Sequence, residues 1–359
     1  PYPFSKERYW IDPPVAACGP SGASAAAARH PLVHRNTSDL GEQRYTSTFT
    51  GEEFFLSDHR VRTHGHRPRR VVPGAACLEM AREAVSRAWP GALESSALQL
   101  RDTVWLSPIL VEEGRDVSIS LFPSDDQRAD FEIHTARDGE VVVHCQGQAA
   151  FVRGAPPARF DLEALVRRMG EGTLTASSVY SAFENLGLHY GPAFQGITEI
   201  QLGRDELIAR LRLPRVVGDS LREYVLHPGL LDSALQGAIG LILDPRRPGH
   251  APPLPFAMQS LRVVGPCAPE MSAWVRRSGK GGPGQLIVDV DLCDANGNVS
   301  AQVRGFSLRV LESEALAGEG HTLRTGPGLD TTKDSVFYET LVARVVSGEV
   351  SADEAAELG

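Results

Sequence analysis

Asp232 is the residue whose sequence surroundings most strongly indicate chemistry. It falls in LLDSALQGAIGLIL, a run that is otherwise largely apolar and is predicted to form a helix. A carboxyl group among such neighbours is desolvated, which raises its pKa and favours the protonated form that a general acid needs. Gln236, four residues further on, would share the same helix face and could hold the same substrate group. The alternative is a solvated helix edge on which Asp232 only favours the helix dipole.

His59 offers the complementary chemistry of a general base. It lies in FFLSDHRV, where a mostly apolar strand is predicted to end. A neutral imidazole is the usual proton acceptor near pH 7, although an exposed loop histidine is the alternative for any single histidine. His64 and His66 follow in the sequence without further ligands at zinc-site spacing, so no metal site is predicted.

A basic stretch, RTHGHRPRR, follows His59. It is predicted to be a solvated loop, and contact with an acidic partner protein or a phosphate-bearing arm is the alternative. Other motifs are absent from the sequence: there is no GxSxG elbow, no P-loop and no GxGxxG after a strand. The arginines in this stretch and just before it are Arg60, Arg62, Arg67, Arg69 and Arg70.

The composition is that of a soluble globular protein. Hydrophobic residues make up 42% and charged residues 23% of the 359 residues, and the net charge is −9. A nucleic-acid-binding protein would normally carry a basic excess, so that class is not expected. The five cysteines form no CxxC pair, which favours a reducing, cytoplasmic location, and no run approaches the roughly 18 apolar residues of a membrane span.

Three segments with linker-like composition divide the chain into two halves of similar size. Residues 11–30 are rich in Pro, Ala, Gly and Ser, residues 153–160 form a second break, and a third begins near residue 315. We therefore expect a segment cut from a longer polypeptide. The predicted boundaries are a linker at 1–30, a first half at 31–152, a linker at 153–172, a second half at 173–313 and a linker at 314–359.

The two halves repeat the same order of elements. A Pro-Gly pair opens an apolar helix at Pro73 and again at Pro228, and a hairpin signal follows at Asp138-Gly139 and at Asn296-Gly297. These hairpin signals follow the two prolines by 65 and 68 residues. Matched spacing predicts a duplicated unit, in which one long helix is wrapped by an antiparallel sheet. The alternative is any α+β protein of two parts with short strands.

Together these segments resemble the dehydratase domains of polyketide synthases. SDHRV and VVPGAACLEMA are similar to the family's catalytic-histidine block, and His30-Pro31-Leu32 matches the usual start of the domain body. LGLHYGPAFQGI at 186–197 and LHPGLLDSALQ at 226–236 match its YGPxFQ and catalytic-aspartate blocks. The similarity spans about residues 1–313. PYPFSKERYW resembles the linker that follows a ketosynthase domain, and the last residues resemble linkers of trans-AT synthases, which lack integral acyltransferases.

The resemblance implies an α+β double hot-dog fold and a hydro-lyase reaction. His59 would remove the α-proton of a β-hydroxyacyl thioester, and Asp232 would protonate the departing hydroxyl. Gln236 and Tyr190 would support Asp232, although a packed corner tyrosine is an equal alternative for Tyr190.

The resemblance also implies a site for the thioester carbonyl and a set of partners. The amide near Gly74, at the start of the helix after Pro73, would polarise that carbonyl. The substrate would hang from the phosphopantetheine of an acyl carrier protein, with no cofactor bound directly. An upstream ketosynthase in the same polypeptide and a homodimer formed through the parent synthase are expected, without nucleic acid or membrane.

One departure from the family pattern qualifies this expectation. The family block HxxxGxxxxP places proline nine positions after histidine, whereas Pro73 follows His59 by 14 positions. Counting back from Pro73 would select His64, but the flanking match favours His59. A longer loop that bulges outward would leave the catalytic pair intact. The alternative is a dehydratase-fold domain with another role, such as a double-bond shift, pyran closure or service as a scaffold in a β-branching module.

Overall fold

The computed structural model describes residues 30–62, 67–91, 96–124, 128–137, 139–154, 157, 159–242, 253–279 and 285–310. The predicted terminal linkers therefore lie almost wholly outside the described residues. None of the described helices is long and apolar enough to cross a lipid bilayer. The strands are β1 Arg35–Asn36, β2 Gln43–Phe49, β3 His59–Val61, β4 Arg69–Arg70, β5 Ala97–Trp105, β6 Arg115–Ser124, β7 Arg128–Arg137, β8 Glu140–Val152, β9 Gly172–Thr175, β10 Leu188–Tyr190, β11 Ile197–Leu202, β12 Glu206–Arg212, β13 Pro253–Val263, β14 Glu270–Arg277, β15 Gln285–Asp294 and β16 Val299–Val310.

Five α-helices and three 3₁₀ helices complete the described part of the chain. The α-helices are α1 Phe54–Ser57, α2 Gly74–Ala88, α3 Leu162–Arg167, α4 Ala176–Asn185 and α5 Pro228–Gln236. The 3₁₀ helices span Pro192–Phe194, Arg215–Glu223 and Gly237–Leu241.

One antiparallel sheet of thirteen strands runs through both halves, in the order β1-β2-β6-β7-β8-β5-β13-β16-β15-β14-β12-β11-β9. The halves join edge to edge where β5 pairs with β13, for example Leu100 opposite Leu261. Helix α2 packs on β5, β6 and β7, and helix α5 packs on β12, β14 and β15. Each half is thus a sheet wrapped around a central helix, and the predicted α+β double hot-dog is confirmed.

The central helices are largely buried because the sheet encloses them. Every residue of α5 is buried, and so is α2 from Ala75 to Arg82. Small residues such as Ala81 and Ala84, both without exposed surface, allow the strands to approach the helix closely. A helix that is apolar on all sides is expected only in such a fully enclosed position.

The structure differs from the sequence-based expectations in local details. The segment predicted as the end of an apolar strand forms helix α1 instead, and His59 begins strand β3 rather than ending one. In a strand, Phe55 and Leu56 would point to opposite faces of the sheet, whereas the helical turn buries both of them. The predicted linker 153–172 contains helix α3, whose first turn is capped by the Asp161 carboxylate through the amide of Ala164.

The two hairpin signals have different outcomes. Arg137 pairs with Glu140, so two residues connect β7 and β8 as expected, although Asp138 itself lies outside the described residues. Strands β15 and β16 are joined by four residues rather than two, and only Gly297 of the Asn-Gly pair has a positive φ, of 83°. The second helix signal is correct at its start, but the α-helix ends at Gln236 and continues as a 3₁₀ helix.

A second, smaller sheet crosses between the halves. It has the order β10-β3-β4 and therefore pairs a strand of the second half with a hairpin of the first. Tyr190 lies opposite His59, and Leu188 lies opposite Val61. The ladder fixes the segment that carries His59 against the second half.

A buried carboxylate makes another connection between the halves. Glu79 of α2 has no exposed surface and receives two hydrogen bonds from Arg82, at 2.7 and 2.9 Å. It also accepts from the backbone amides of Val225 and Leu226, at 2.9 and 3.0 Å, just before α5 begins, and lies 3.3 Å from the His30 ring. Glu79 therefore holds the start of the second central helix to the first one.

The Glu79 network predicts a large stability effect for a nearly isosteric change. Glu79→Gln leaves the Arg82 guanidinium buried with less counter-charge, so the free energy of unfolding should fall by about 3 kcal/mol. Urea denaturation measures this difference. Glu163→Gln is a matched control, because the Glu163–Arg167 pair is exposed on α3 and such pairs contribute less than about 1 kcal/mol. Equal effects of the two substitutions would contradict the assigned role of Glu79.

Candidate active site

His59 is held in a defined orientation with one ring nitrogen free. Its side chain is 8% exposed, and its Nδ1 lies 2.9 Å from the carbonyl oxygen of Val71. A carbonyl oxygen only accepts, so Nδ1 carries the hydrogen and the neutral ring has its lone pair on Nε2. The amide of Val71 donates in return to the His59 carbonyl at 3.2 Å. These two contacts prepare Nε2 to act as a base.

The longer loop after His59 leaves these contacts in place. Arg60 pairs with Arg70, and Val61 pairs with Arg69, so β3 and β4 form a hairpin. Val71 follows directly after the second strand of this hairpin. The connection between the two strands contains His64 and His66, which lie outside the described residues. The greater spacing between His59 and Pro73 is thus compatible with the pairing of β3 and β4 and with the contact between His59 and Val71.

Asp232 is buried in the second turn of α5, not in its first. Its side chain is 9% exposed, which excludes the solvated helix edge considered from the sequence. Burial raises the pKa of this carboxyl, while the nearby His59 and a hydrogen bond from Gln236 lower it less. The net shift is upward and favours the protonated acid.

Gln236 lies beside Asp232 and connects it to the neighbouring loop. Its Nε2 donates to Asp232 Oδ2 at 2.7 Å and to the carbonyl oxygen of Phe194 at 3.2 Å. Its buried Oε1 has no hydrogen-bond partner among the described residues. An acceptor beside the acid is therefore left available for a donor from a bound molecule.

Tyr190 and Phe194 occupy the space that His59 and Asp232 share. The His59 ring centroid is 5.5 Å from the centroids of both Tyr190 and Phe194. Burial raises the pKa of the Tyr190 hydroxyl, and the charge of Asp232 raises it further. The rings of Tyr180 and Phe183 also pack on Tyr190, so this tyrosine is a packed residue at the edge of the pair.

The Asp58 side chain is a positioning group that the sequence analysis missed. Its Oδ2 accepts from the amide of Ala193 at 2.8 Å, and its backbone carbonyl accepts from the amide of Gly191 at 2.8 Å. A Cβ atom on Gly191 would overlap the Asp58 carboxyl group. The residue next to His59 is thus bonded to the YGPAFQ segment of the second half.

His227 caps the helix that carries Asp232, and the sequence analysis missed this role as well. Its Nδ1 accepts from the amide of Gly229 at 3.2 Å, and its Nε2 lies 3.0 Å from the Ser220 hydroxyl. Its ring stacks on Phe54 at 5.5 Å with an angle of 14°. Burial lowers the pKa of His227 to about 4, so the ring stays neutral and keeps its acceptor for the cap.

Pro73 and Gly74 lie at the start of α2, with Pro73 as the N-cap residue. The first amides of a helix have no acceptor within the helix, so this end can bind an oxygen that carries partial negative charge. Gly74 packs against the Trp105 indole, and a Cβ atom would lie 3.2 Å from its nitrogen. In the described parts of the chain, no group of three or more His, Cys, Asp or Glu could hold a metal ion.

Sequence comparisons match both halves to one kind of protein. The family described as polyketide synthase dehydratase domain matches residues 30–136, and a family described as polyketide synthase dehydratase N-terminal domain matches residues 157–318. Polyketide synthase PksN of Bacillus subtilis is 40% identical over 331 residues, and polyketide synthase PksM of the same organism is 37% identical over 324. These matches cover 89% and 87% of this chain but only 6% and 7% of the relatives.

A solved structure is similar over nearly its whole length. The crystal structure of a trans-AT polyketide synthase dehydratase domain from Brevibacillus brevis has 38% sequence identity and a TM-score of 0.72. The match covers 79% of this chain and 99% of that domain. The likeness thus extends over both hot-dog halves together and not over one of them.

The Asp58 contact predicts that a single methyl group at position 191 disturbs His59. In Gly191→Ala the added Cβ displaces the Asp58 carboxyl group, and overpacking of this kind costs about 1–3 kcal/mol. We expect a lower free energy of unfolding in urea and shifted ring resonances of His59 in NMR spectra. Gly218→Ala is the control, since a Cβ there has no atom within 4 Å. Unshifted His59 resonances in Gly191→Ala would refute the positioning role.

Removal of the Gln236 hydrogen bond should shift the titration of Asp232 in a known direction. Gln236 stabilises the ionised carboxylate, so Gln236→Leu should raise the pKa of Asp232 above its value in the unmodified protein. The ¹³C resonance of the Asp232 carboxyl, identified by its loss in Asp232→Asn, reports this pKa directly. Gln201→Leu removes an amide that bonds Glu199 instead and should leave the titration unchanged. A fall in the pKa of Asp232 would be incompatible with the assigned hydrogen bond.

Proposed function

This chain belongs to the dehydratase domains of polyketide synthases, and from this premise we propose that His59 and Asp232 form its catalytic pair. Members of the family are hydro-lyases that act on hydroxyacyl thioesters, and dehydration is the function of this chain. The relationship is to domains of trans-AT synthases. The proposal is supported by the nearness of His59, from one half, to the buried carboxyl of Asp232, from the other, since the charge of His59 acts on the pKa of Asp232 and the ring of Phe194 beside His59 belongs to the residue that bonds Gln236.

The reaction begins at the carbon next to the thioester carbonyl. His59 Nε2 accepts the α-proton, because the carbonyl of Val71 holds the hydrogen of the neutral ring on Nδ1. The electron pair of the broken C–H bond becomes the new double bond between the α- and β-carbons. The Val71 carbonyl also stabilises the imidazolium that forms, since a charged ring donates a stronger hydrogen bond.

The leaving group departs at the β-carbon. As the C–O bond breaks, the carboxyl of Asp232 donates its proton to the hydroxyl oxygen, and water is released. Burial raises the pKa of Asp232, which favours the protonated form that this transfer needs. Gln236 holds the carboxyl through Oδ2 and stabilises the carboxylate that the proton transfer leaves behind.

The thioester carbonyl is placed at the start of α2. Negative charge develops on its oxygen as the α-proton leaves, and the free amides after Pro73, beginning with Gly74, are suited to stabilise it. Tyr190, opposite His59 in the small sheet, would limit the position of the acyl chain. These assignments are supported by the helix geometry and by the packing of Tyr190.

The partners follow from the place of such domains in larger enzymes. We propose that the acyl chain arrives on the phosphopantetheine of an acyl carrier protein and that a ketosynthase precedes this domain in the same polypeptide. We also propose a homodimer formed through the parent synthase and a cytoplasmic location. The relatives support a multidomain context, since this chain spans less than one tenth of their length.

The alternative of a dehydratase fold without dehydration rested on the longer loop after His59. The closed hairpin and the preserved contacts of His59 with Val71 argue against it. No feature of the described residues favours a double-bond shift or pyran closure over loss of water.

Mass spectrometry of a 3-hydroxyacyl pantetheine thioester tests the proposal. The domain should convert it to a product lighter by one water, and His59→Ala and Asp232→Asn should each lower the rate by at least about 10²-fold, as for a general acid or base. Both variants should keep their cooperative unfolding, which separates chemistry from folding. Full activity in either variant would exclude that residue from the catalytic pair.

A further inference from the structure

The small sheet β10-β3-β4 has two unlike faces. His59, Val61 and Leu188 are buried on one face, whereas Arg60 and Arg62 alternate with them and are exposed on the other. Arg60 lies between His189 on one side and Arg70 on the other. We call this outer face, together with the arginine that precedes β4, the cationic strip; its members are Arg60, Arg62, Arg67, Arg70 and His189.

The cationic strip is an unfavourable arrangement for the domain alone. Arginines directly opposite in neighbouring strands repel each other and destabilise a sheet. Arg60 donates to the carbonyl oxygen of Ser57 at 2.8 Å and Arg70 to that of Glu112 at 3.5 Å, and neither group carries a charge. The Glu112 carboxylate binds Arg69 instead, at 2.5 Å.

Few negative charges compensate the strip. Glu184 is 4.0 Å from His189 and is exposed. Arg60, Arg62 and Arg67 have no ion pair with any carboxylate of the described residues. No Asp or Glu occurs from position 60 to 70, although the whole chain has 45 acidic and 36 basic residues. Positive charge is thus concentrated in this segment, although the protein as a whole is acidic.

The strip is also tied to the active site. Strand β3 carries His59 on its inner face and Arg60 on its outer face. A protein bound to the cationic strip would therefore be separated from His59 by the thickness of this one strand. A positive patch on an acidic protein steers a negatively charged partner to one orientation and raises its association rate. The proposed reaction supplies a protein partner, because the acyl chain would be delivered on a carrier domain.

We propose that the cationic strip is the docking surface for the acyl carrier protein, which meets it with an acidic face beside its phosphopantetheine attachment. The inference rests on the proposed function for the identity of the partner. It assigns the strip to recognition of the carrier protein itself and not of the phosphate in its arm.

Charge reversal tests the proposal at Arg62 and Arg67, whose side chains have no ion pair or hydrogen bond with the described residues. Arg62→Glu/Arg67→Glu leaves Arg60 and Arg70, which hydrogen-bond the backbone, in place. Arg128→Glu/Arg204→Glu makes the same change in net charge at exposed positions of the large sheet, at the start of β7 and between β11 and β12. Binding of the apo and holo forms of a carrier domain from the parent synthase is measured by isothermal titration calorimetry at low and high salt.

The first double variant should bind both carrier forms on the order of tenfold more weakly at low salt. This difference should shrink in high salt, where exposed charges are screened. The control double variant should bind as the unmodified protein does. Weaker binding of the holo form alone would assign the strip to the phosphate arm, and equal losses in both double variants would indicate only net charge. Either result would overturn the proposal.

Turnover of two substrates separates docking from chemistry. With the acyl chain on the carrier protein, kcat/KM of the first double variant should fall about tenfold at low salt, whereas with the same chain on free pantetheine it should stay within about twofold. A matching loss on free pantetheine would locate the effect in the catalytic pair and reject the docking surface. If the unmodified domain dehydrates neither substrate, the proposed function fails, and the binding measurements alone decide the docking proposal.

Discussion

The proposed site depends on the fixed placement of the two halves, because the proposed base, His59, and the proposed acid, Asp232, come from different halves. Three separate contacts fix it: the β3–β10 ladder, the Asp58 carboxylate on the amide of Ala193, and the Glu79 carboxylate on the amides before α5. Each of these three contacts connects a segment close to His59 or Asp232 with the opposite half. A displacement of about 1 Å between acid and base can cost 10²-fold in rate, so these contacts serve catalysis as well as stability.

Two buried carboxylates show how environment separates structural from chemical roles. Glu79 receives a bidentate guanidinium and two backbone amides, which satisfy its charge. Asp232 receives one side-chain hydrogen bond, from Gln236, and burial raises its pKa. A carboxyl with few donors in a dry site is driven to the neutral form that can release a proton. The difference lies in the number of partners and not in the depth of burial.

Much of the fold was predictable from local sequence, and the long-range contacts were not. The start of both central helices followed from Pro73 and Pro228, and the burial of Asp232 followed from its apolar neighbours. Glu79 carries a similar but weaker signal, because it lies between Leu78 and Met80 while Arg82 and Glu83 follow in the same helix. The pairing of β3 with β10 has no local signature, because three-residue strands with 126 residues between them in the sequence show no periodicity. The conformation of FFLS was also predicted wrongly, and local sequence does not show that Phe54 packs on Phe194 and His227 of the second half.

The position of the longer loop explains how the spacing from His59 to Pro73 can exceed that of the family while the proposed active site is kept. Insertions are tolerated where the ends of a loop are already close, since loop closure then costs little more for each added residue. The ends of this loop are paired at Val61 and Arg69, so length can change beyond them while His59 stays bonded to Val71. On the β10 side no such freedom exists, because Gly191 packs directly on Asp58. A change of length between Val61 and Arg69 would therefore leave the contacts of His59 and Asp58 in place.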